Sequence, residues 1–149
     1  MRIADLLRRK GSTVATVSPE TGVEGLVARL AEHNVGALVV VGPAGEVIGI
    51  VSERDVVRGL RERGAGLLAT RVGDIMTTDV AGCTPEDSVD ELSAVMTRRR
   101  IRHVPVLVDG ALGGIVSIGD VVKSRMDELE QDREQLESYI VGGRFDTTG

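Results

Sequence analysis

The sequence predicts an α/β (α+β) chain made of two pseudo-symmetric β-α-β-β-α repeats, closed by a C-terminal helical extension. Three observations predict it. First, the chain repeats itself. Val14-Ala15-Thr16-Val17-Ser18-Pro19-Glu20 returns as Val80-Ala81-Gly82-Cys83-Thr84-Pro85-Glu86, and Gly49-Ile50-Val51-Ser52-Glu53-Arg54-Asp55-Val56-Val57 returns as Gly114-Ile115-Val116-Ser117-Ile118-Gly119-Asp120-Val121-Val122. The spacing is too long for a solenoid, so two fused halves are expected. Second, Val-rich runs alternate with segments of helical apolar spacing. Third, the apolar residues, 42% of the chain, are aliphatic, with one Phe, one Tyr and no Trp. That composition suits layered strands and helices and offers no aromatic platform for RNA bases.

The first copy begins with an extended piece, Val14 to Val17, running into Ser18-Pro19. Proline after a serine cap predicts a helix start at that point. The helix carries its apolar face on Val23, Leu26, Val27 and Leu30. Ala37 to Val41 is nearly continuous Val, as in a strand covered on both faces. Gly42-Pro43-Ala44-Gly45 is a turn, Val47 to Val51 a second strand, and a second helix starts at Glu53. Residues 61 to 73 connect the copies and include Gly64-Ala65-Gly66, which a helix disfavours.

The second copy reads alike. Val80 to Cys83 is extended, Thr84-Pro85 starts a helix, and Val89, Leu92, Val95 and Met96 mark its apolar face. His103 to Val108 and Leu112 to Val116 are strands around Asp109-Gly110, and the last helix starts at Ile118. Beyond it, Val122, Met126, Leu129, Leu136 and Ile140 make a heptad-like seam interrupted by Arg133, able to pack on the body or to join a partner. The expected divisions are residues 1–70 (first repeat with N-terminal segment and connector), 71–126 (second repeat) and 127–149 (acidic helix and tail).

Charge narrows the function. The formal net charge is −5, and the stretch Asp127 to Glu137, with six acids and one base, accounts for all of it. The remainder is balanced, which argues against a general grip on nucleic acid. One cysteine, Cys83, excludes an intrachain disulfide; it reads as a small buried hydrophobe. No apolar run is long enough for a membrane span, and Met1 to Gly11 lacks a signal-peptide core, so a soluble cytoplasmic protein is expected. Walker A, His-Glu-x-x-His, Cys-x-x-Cys and Gly-x-Ser-x-Gly patterns are absent, so an enzyme is not expected. Gly64-x-Gly66-x-x-Ala69 fits a loose dinucleotide fingerprint but has no strand before it and reads as a loop. His33 and His103 fall at different repeat positions and do not suggest a metal pair.

The segments Asp74-Ile75-Met76-Thr77 and Arg102-His103-Val104-Pro105-Val106, with the two Gly-x-x-Ser-x-x-Asp stretches, resemble the cystathionine-β-synthase (CBS) domain family in its paired arrangement, the Bateman module. The resemblance covers roughly residues 1 to 125, and the C-terminal part is similar to a stand-alone subgroup. It implies two repeats packed about a pseudo-two-fold axis, adenine nucleotides (AMP, ATP or NAD(H)) in the clefts between them, a homodimer, and regulation of an unknown protein partner. A ligand-independent dimeric adaptor is the alternative.

Within that frame the candidate contacts are Thr16, Ser52, Arg54, Asp55, Arg102, His103, Val104, Pro105, Ser117 and Asp120. Ser52 and Ser117 stand where a strand turns into a helix, where free N–H groups favour a phosphate. Asp55 and Asp120, three residues on, match the family's ribose-binding Asp. Gly49 and Gly114 permit close backbone approach. Pro105 lacks an N–H, which is expected to leave backbone groups of Val104 and Val106 free for an adenine edge. Ser-x-x-Asp is equally a helix capping box, and the two roles are compatible. Arg54 offers a phosphate a positive charge, while its counterpart Gly119 offers space, so the two clefts are expected to differ. Arg102 and His103 end the basic run Arg98-Arg99-Arg100, which either complements a helix dipole or reaches a phosphate.

Overall fold

The computed structural model describes the backbone of residues 1–148 and the side-chain surroundings of residues 1–141. In chain order the elements are α1 (Ile3–Lys10), β1 (Thr16–Val17), α2 (Val23–His33), β2 (Ala37–Val41), β3 (Val47–Ser52), α3 (Glu53–Arg63), two short 3-10 turns (Gly64–Ala69 and Val72–Asp74), α4 (Val89–Arg99), β4 (His103–Val108), β5 (Ala111–Ser117) and α5 (Ile118–Thr148). The first repeat holds a three-stranded sheet of order β1-β2-β3, with β1 parallel and β3 antiparallel to β2. The second repeat holds β4 and β5, antiparallel.

The duplication survives in detail. The register slips between Val40 and Val41 in β2, and between Val106 and Leu107 in β4, at matched positions. Val17 pairs with Val40, and Cys83 makes the equivalent parallel bridge to Val106. The second copy's first strand is reduced to that bridge, held by the Cys83 N–H on the Pro105 carbonyl (3.1 Å) and the Leu107 N–H on the Cys83 carbonyl (2.8 Å). Gly82 stands where the first copy has β-branched Thr16, which weakens extended structure there. The β4–β5 hairpin closes through Asp109 (φ 52°) and Gly110 (φ 82°), two adjacent left-handed residues as in the type I′ turn.

Two expectations about helix starts are corrected. Pro19 and Pro85 lie in turns, and α2 and α4 begin four residues later, at Val23 and Val89. The cause lies in the backbone. Val72 N–H donates to the Thr21 carbonyl (2.8 Å), and Val23 N–H to the Thr70 carbonyl (2.8 Å), which holds Thr21 and Gly22 extended. Ser88 caps α4, its hydroxyl accepting from Glu91 N–H (3.2 Å).

The same contacts show how the halves interlock. Val72 to Thr21, Val23 to Thr70 and Gly73 to Pro19 join the segment preceding the second repeat to the first repeat. Ile3 to Asp87 (2.9 Å), Val89 to Met1 (3.0 Å) and Ala4 to Pro85 (2.8 Å) repeat the pattern in reverse. Each repeat is thus completed by the segment that precedes the other. The cores follow suit. Val72, with Ile75 and Met76 against it, joins Val17, Leu26, Leu30, Leu38, Val40 and Val51 of the first repeat. Ile3 and Leu6 of α1 join Cys83, Val89, Leu92, Met96, Val104, Val106, Val116 and Val121 of the second. The N-terminal segment, grouped with the first repeat on chain order alone, therefore packs in the core of the second.

Past α3, Gly64 (φ 59°) ends the helix, and the 3-10 turn lodges fully buried Leu67 against Gly59. No strand precedes Gly64, as a dinucleotide fingerprint would require. At the other end α5 is unbroken, so the acidic tail continues the helix of the second repeat. From Leu129 to Val141 every residue is exposed, and the apolar seam does not pack on the body. No helix among the described residues is long and apolar enough to cross a membrane.

Candidate functional site

Both Ser-x-x-Asp stretches sit at strand-to-helix junctions, as the sequence suggests. At the end of β3, Ser52 N–H donates to Asp55 Oδ2 (2.9 Å), and Asp55 N–H donates back to Ser52 Oγ (3.4 Å). At the end of β5, Ser117 N–H donates to Asp120 Oδ2 (2.8 Å) and Asp120 N–H to Ser117 Oγ (3.1 Å). These are reciprocal caps, each worth about 1 kcal/mol to its helix. They also fix both carboxylates at a helix N-terminus, where free amides favour anions.

The surroundings of the two carboxylates differ. Asp55, only 9% exposed, is met by Thr77, whose hydroxyl lies 3.5 Å from Oδ1. Thr77 is fixed there by a two-way backbone exchange with Ile50 (3.0 and 2.9 Å). The close approach requires Gly49: a Cβ there would stand 2.9 Å from the Thr77 carbonyl and 2.8 Å from Met76 Sδ. Asp120 is met instead by Lys10, the last residue of α1. Its Nζ lies 2.5 Å from Asp120 Oδ2 and 2.7 Å from the Ile115 carbonyl. Gly114 admits Leu7 of α1, as Gly49 admits Met76. Burial of Asp120 works to raise its pKa, but the Lys10 and Ser117 hydrogen bonds outweigh it and hold the carboxyl below its ordinary range. Sequence reading missed Lys10 and Thr77. The only signal for Thr77 was the Asp74-Ile75-Met76-Thr77 stretch, and nothing local marked Lys10.

His103 opens β4 beside Gly36, which precedes β2 of the other repeat. A Cβ at Gly36 would meet its Cε1 at 3.5 Å and Glu53 at 4.0 Å. Gly36 carbonyl accepts from Glu53 N–H (3.0 Å), and Arg102 carbonyl from Ile118 N–H (2.8 Å), so these starts are equivalent. Burial lowers the His103 pKa, as do Lys10 and Arg102, against the pull of Asp120 and Glu53. The structure therefore brings Arg102, Lys10 and Asp120 within electrostatic reach of His103.

Other expected contacts separate. Thr16 pairs with Val39, which pairs with Ile50, so β2 stands between Thr16 and the Ser52–Asp55 junction. Arg54 is exposed and forms no ion pair among the described residues. The expectation for backbone groups around Pro105 is corrected: Val104 and Val106 are fully buried in the second core, and Cys83 N–H occupies the Pro105 carbonyl. Gly119 leaves space as expected, since a Cβ there would meet nothing nearer than Ser117 Oγ at 3.6 Å. Two grooves, of about 330 and 450 Å³, lie elsewhere, between the helices of each repeat. Val57 and Val122 line them at equivalent positions.

Comparison with known proteins agrees with this architecture. The CBS domain family matches residues 3–62 and 72–127. The chain therefore belongs to the CBS domain family, as a tandem pair. It is 38% identical over 149 residues to the mitochondrial CBS domain-containing protein CBSX3 of Arabidopsis thaliana, covering 95% of this chain and 72% of that relative. The crystal structure of a CBS-domain containing protein from Agrobacterium tumefaciens superposes with a TM-score of 0.82 at 43% identity, covering 84% of this chain and 99% of that one. The fold is also that of CBSX2, solved in complex with AMP (TM-score 0.71, 24% identity, 85% and 96% covered).

Proposed function

We propose that this chain is a regulatory module that binds an adenine nucleotide (AMP, ATP or NAD(H)) through Asp55 and Asp120 and signals to a protein partner. One observation carries the reading. Each repeat anchors a carboxylate by one oxygen to the N–H of a serine at a strand-to-helix turn, and the second oxygen has no donor nearer than 3.5 Å among the described residues. Such a carboxylate accepts a ribose hydroxyl, and the helix N-terminus beside it suits a phosphate. A structural relative solved with AMP supports it. Arg54 and Arg102 supply positive charge around the clefts, and His103 adds a ring nitrogen beside them. Among the described residues no pair of groups is arranged for acid–base or nucleophilic work, so regulation without turnover is the reading, in a cytoplasmic compartment and without a nucleic-acid or membrane role.

The test is thermal unfolding against AMP, ADP, ATP, NAD, NADH and S-adenosylmethionine. A ligand at 100 times its Kd adds about 2.7 kcal/mol, which for a chain of this size raises Tm by roughly 5–10 °C. The expected result is a rise with one nucleotide class that is lost in Asp55→Ala or Asp120→Ala. The adaptor reading has its own support, since both Ser–Asp pairs already serve as caps. Under it the same variants lower Tm without touching any ligand response. Exposed Val57 and Leu60 on α3, and Val122 and Met126 on α5, are the faces on which a second copy would dock; light scattering should then give twice the monomer mass.

A further inference from the structure

We propose that Lys10 latches the second cleft, so that a ribose diol bridges both oxygens of Asp120 only by displacing the N-terminal helix's terminal charge. The inference rests on the nucleotide reading above and names the regulation of one of its sites.

The geometry is specific. Asp120 Oδ2 carries two donors, Ser117 N–H at 2.8 Å and Lys10 Nζ at 2.5 Å. A carboxylate oxygen has two lone-pair directions, so Oδ2 is full. A vicinal diol that bridges both oxygens needs one of those directions. The pair is half withdrawn from water, with Lys10 32% and Asp120 22% exposed, so screening weakens it only in part. Lys10 is further tied by the Ile115 carbonyl. Its helix is held by Ile3 and Leu6 in the second core, and Gly11 N–H on the Leu7 carbonyl (2.7 Å) closes its last turn. Among the described residues, no such cation meets Asp55 in the first cleft. Asp55 is met there by hydroxyls of Ser52 and Thr77, which rotate without separating charge. The clefts therefore differ in a residue 110 positions from the carboxylate it controls.

The consequence reaches beyond affinity. A diol that takes Asp120 frees Lys10, and with it the end of α1. Binding in the second cleft is thereby coupled to the helix that completes the second core.

The experiment is calorimetric titration of the full chain with adenosine, which carries the diol but no phosphate to attract Lys10. Asp55→Asn is the background, isolating the second cleft. Lys10→Met keeps the apolar stem and removes the charge; Lys10→Gln is a second variant, and each is checked for an intact thermal transition. The expected result is adenosine affinity about three- to tenfold higher in both Lys10 variants, the scale of a half-exposed ion pair. That gain should be absent for 2′-deoxyadenosine and abolished by Asp120→Asn. Unchanged or weaker adenosine binding in both Lys10 variants overturns the latch. If the unmutated chain binds adenosine through Asp55 in that case, the nucleotide reading stands and only the latch falls. If no chain binds adenosine or AMP, both fall.

Discussion

Ile3→Ala tests whether the N-terminal helix is part of the second repeat's core. Ile3 is fully buried, about 100 residues or more by chain order from Val104, Val106 and Val116, which share its cluster, and its N–H is spent on the Asp87 carbonyl. The substitution removes three carbons from a closed site that an eight-residue helix cannot easily refill. Buried Ile-to-Ala changes cost about 2–5 kcal/mol, the transfer of the lost carbons plus the cavity left behind. Taking the lower half of that range, about 3 kcal/mol, and roughly 2–4 °C per kcal/mol for a chain of this length, the midpoint should fall by roughly 6–12 °C. Differential scanning calorimetry measures it directly. Leu68→Ala, at an exposed position of the first 3-10 turn, is the control and should stay within about 0.5 kcal/mol. A fall no larger than the control's would refute the packing, and with it the reciprocal completion of the two repeats. A secondary readout is faster amide exchange in α1, because loss of Ile3 loosens the helix that carries Lys10.

The remaining predictions concern the approach glycines, the histidine and the cysteine. Gly49→Ala drives a Cβ against the Thr77 carbonyl, a backbone atom, whereas Gly114→Ala meets only the end of the Leu7 side chain. Gly49→Ala should therefore cost about 1–3 kcal/mol and Gly114→Ala measurably less, as ranked by urea melts. Because burial depresses the His103 pKa, the unfolded chain takes up that proton more readily than the folded one. The sign follows: stability is full above the ordinary histidine range near pH 6.5 and declines as pH falls below it, so Tm should drop between pH 7.5 and 5.5, and His103→Gln should flatten that slope. Burial, with Asp87 nearby, pushes the Cys83 thiol up to about 12. Ellman's reagent at pH 8 should accordingly label Cys83 slowly in the folded chain and rapidly in urea.

Much of this was legible in the sequence because it is written locally. Near-continuous, β-branched valine from Ala37 to Val41 favours a covered strand, and Ser52 with Asp55 three residues on favours a helix cap, both from local chemistry. Duplication then gave each reading a second witness, down to Ser117 and Asp120. Where the prediction erred, a contact distant in sequence overrode a local preference. Pro19 and Pro85 are suited to a first helical turn, but strand-like bonds from the other half's leading segment hold the following residues extended. Helix α1 is only eight residues long, too short to be stable alone, and its stability comes from a core assembled some eighty residues downstream. The two repeats, their strands and the pair of capped carboxylates follow from local sequence, because propensity and periodicity act over a few residues. Long-range folding alone sets the completion of each half by the other's leader, the meeting of Thr77 with Asp55 and that of Lys10 with Asp120. Those depend on where the chain returns in space, and no local preference encodes that.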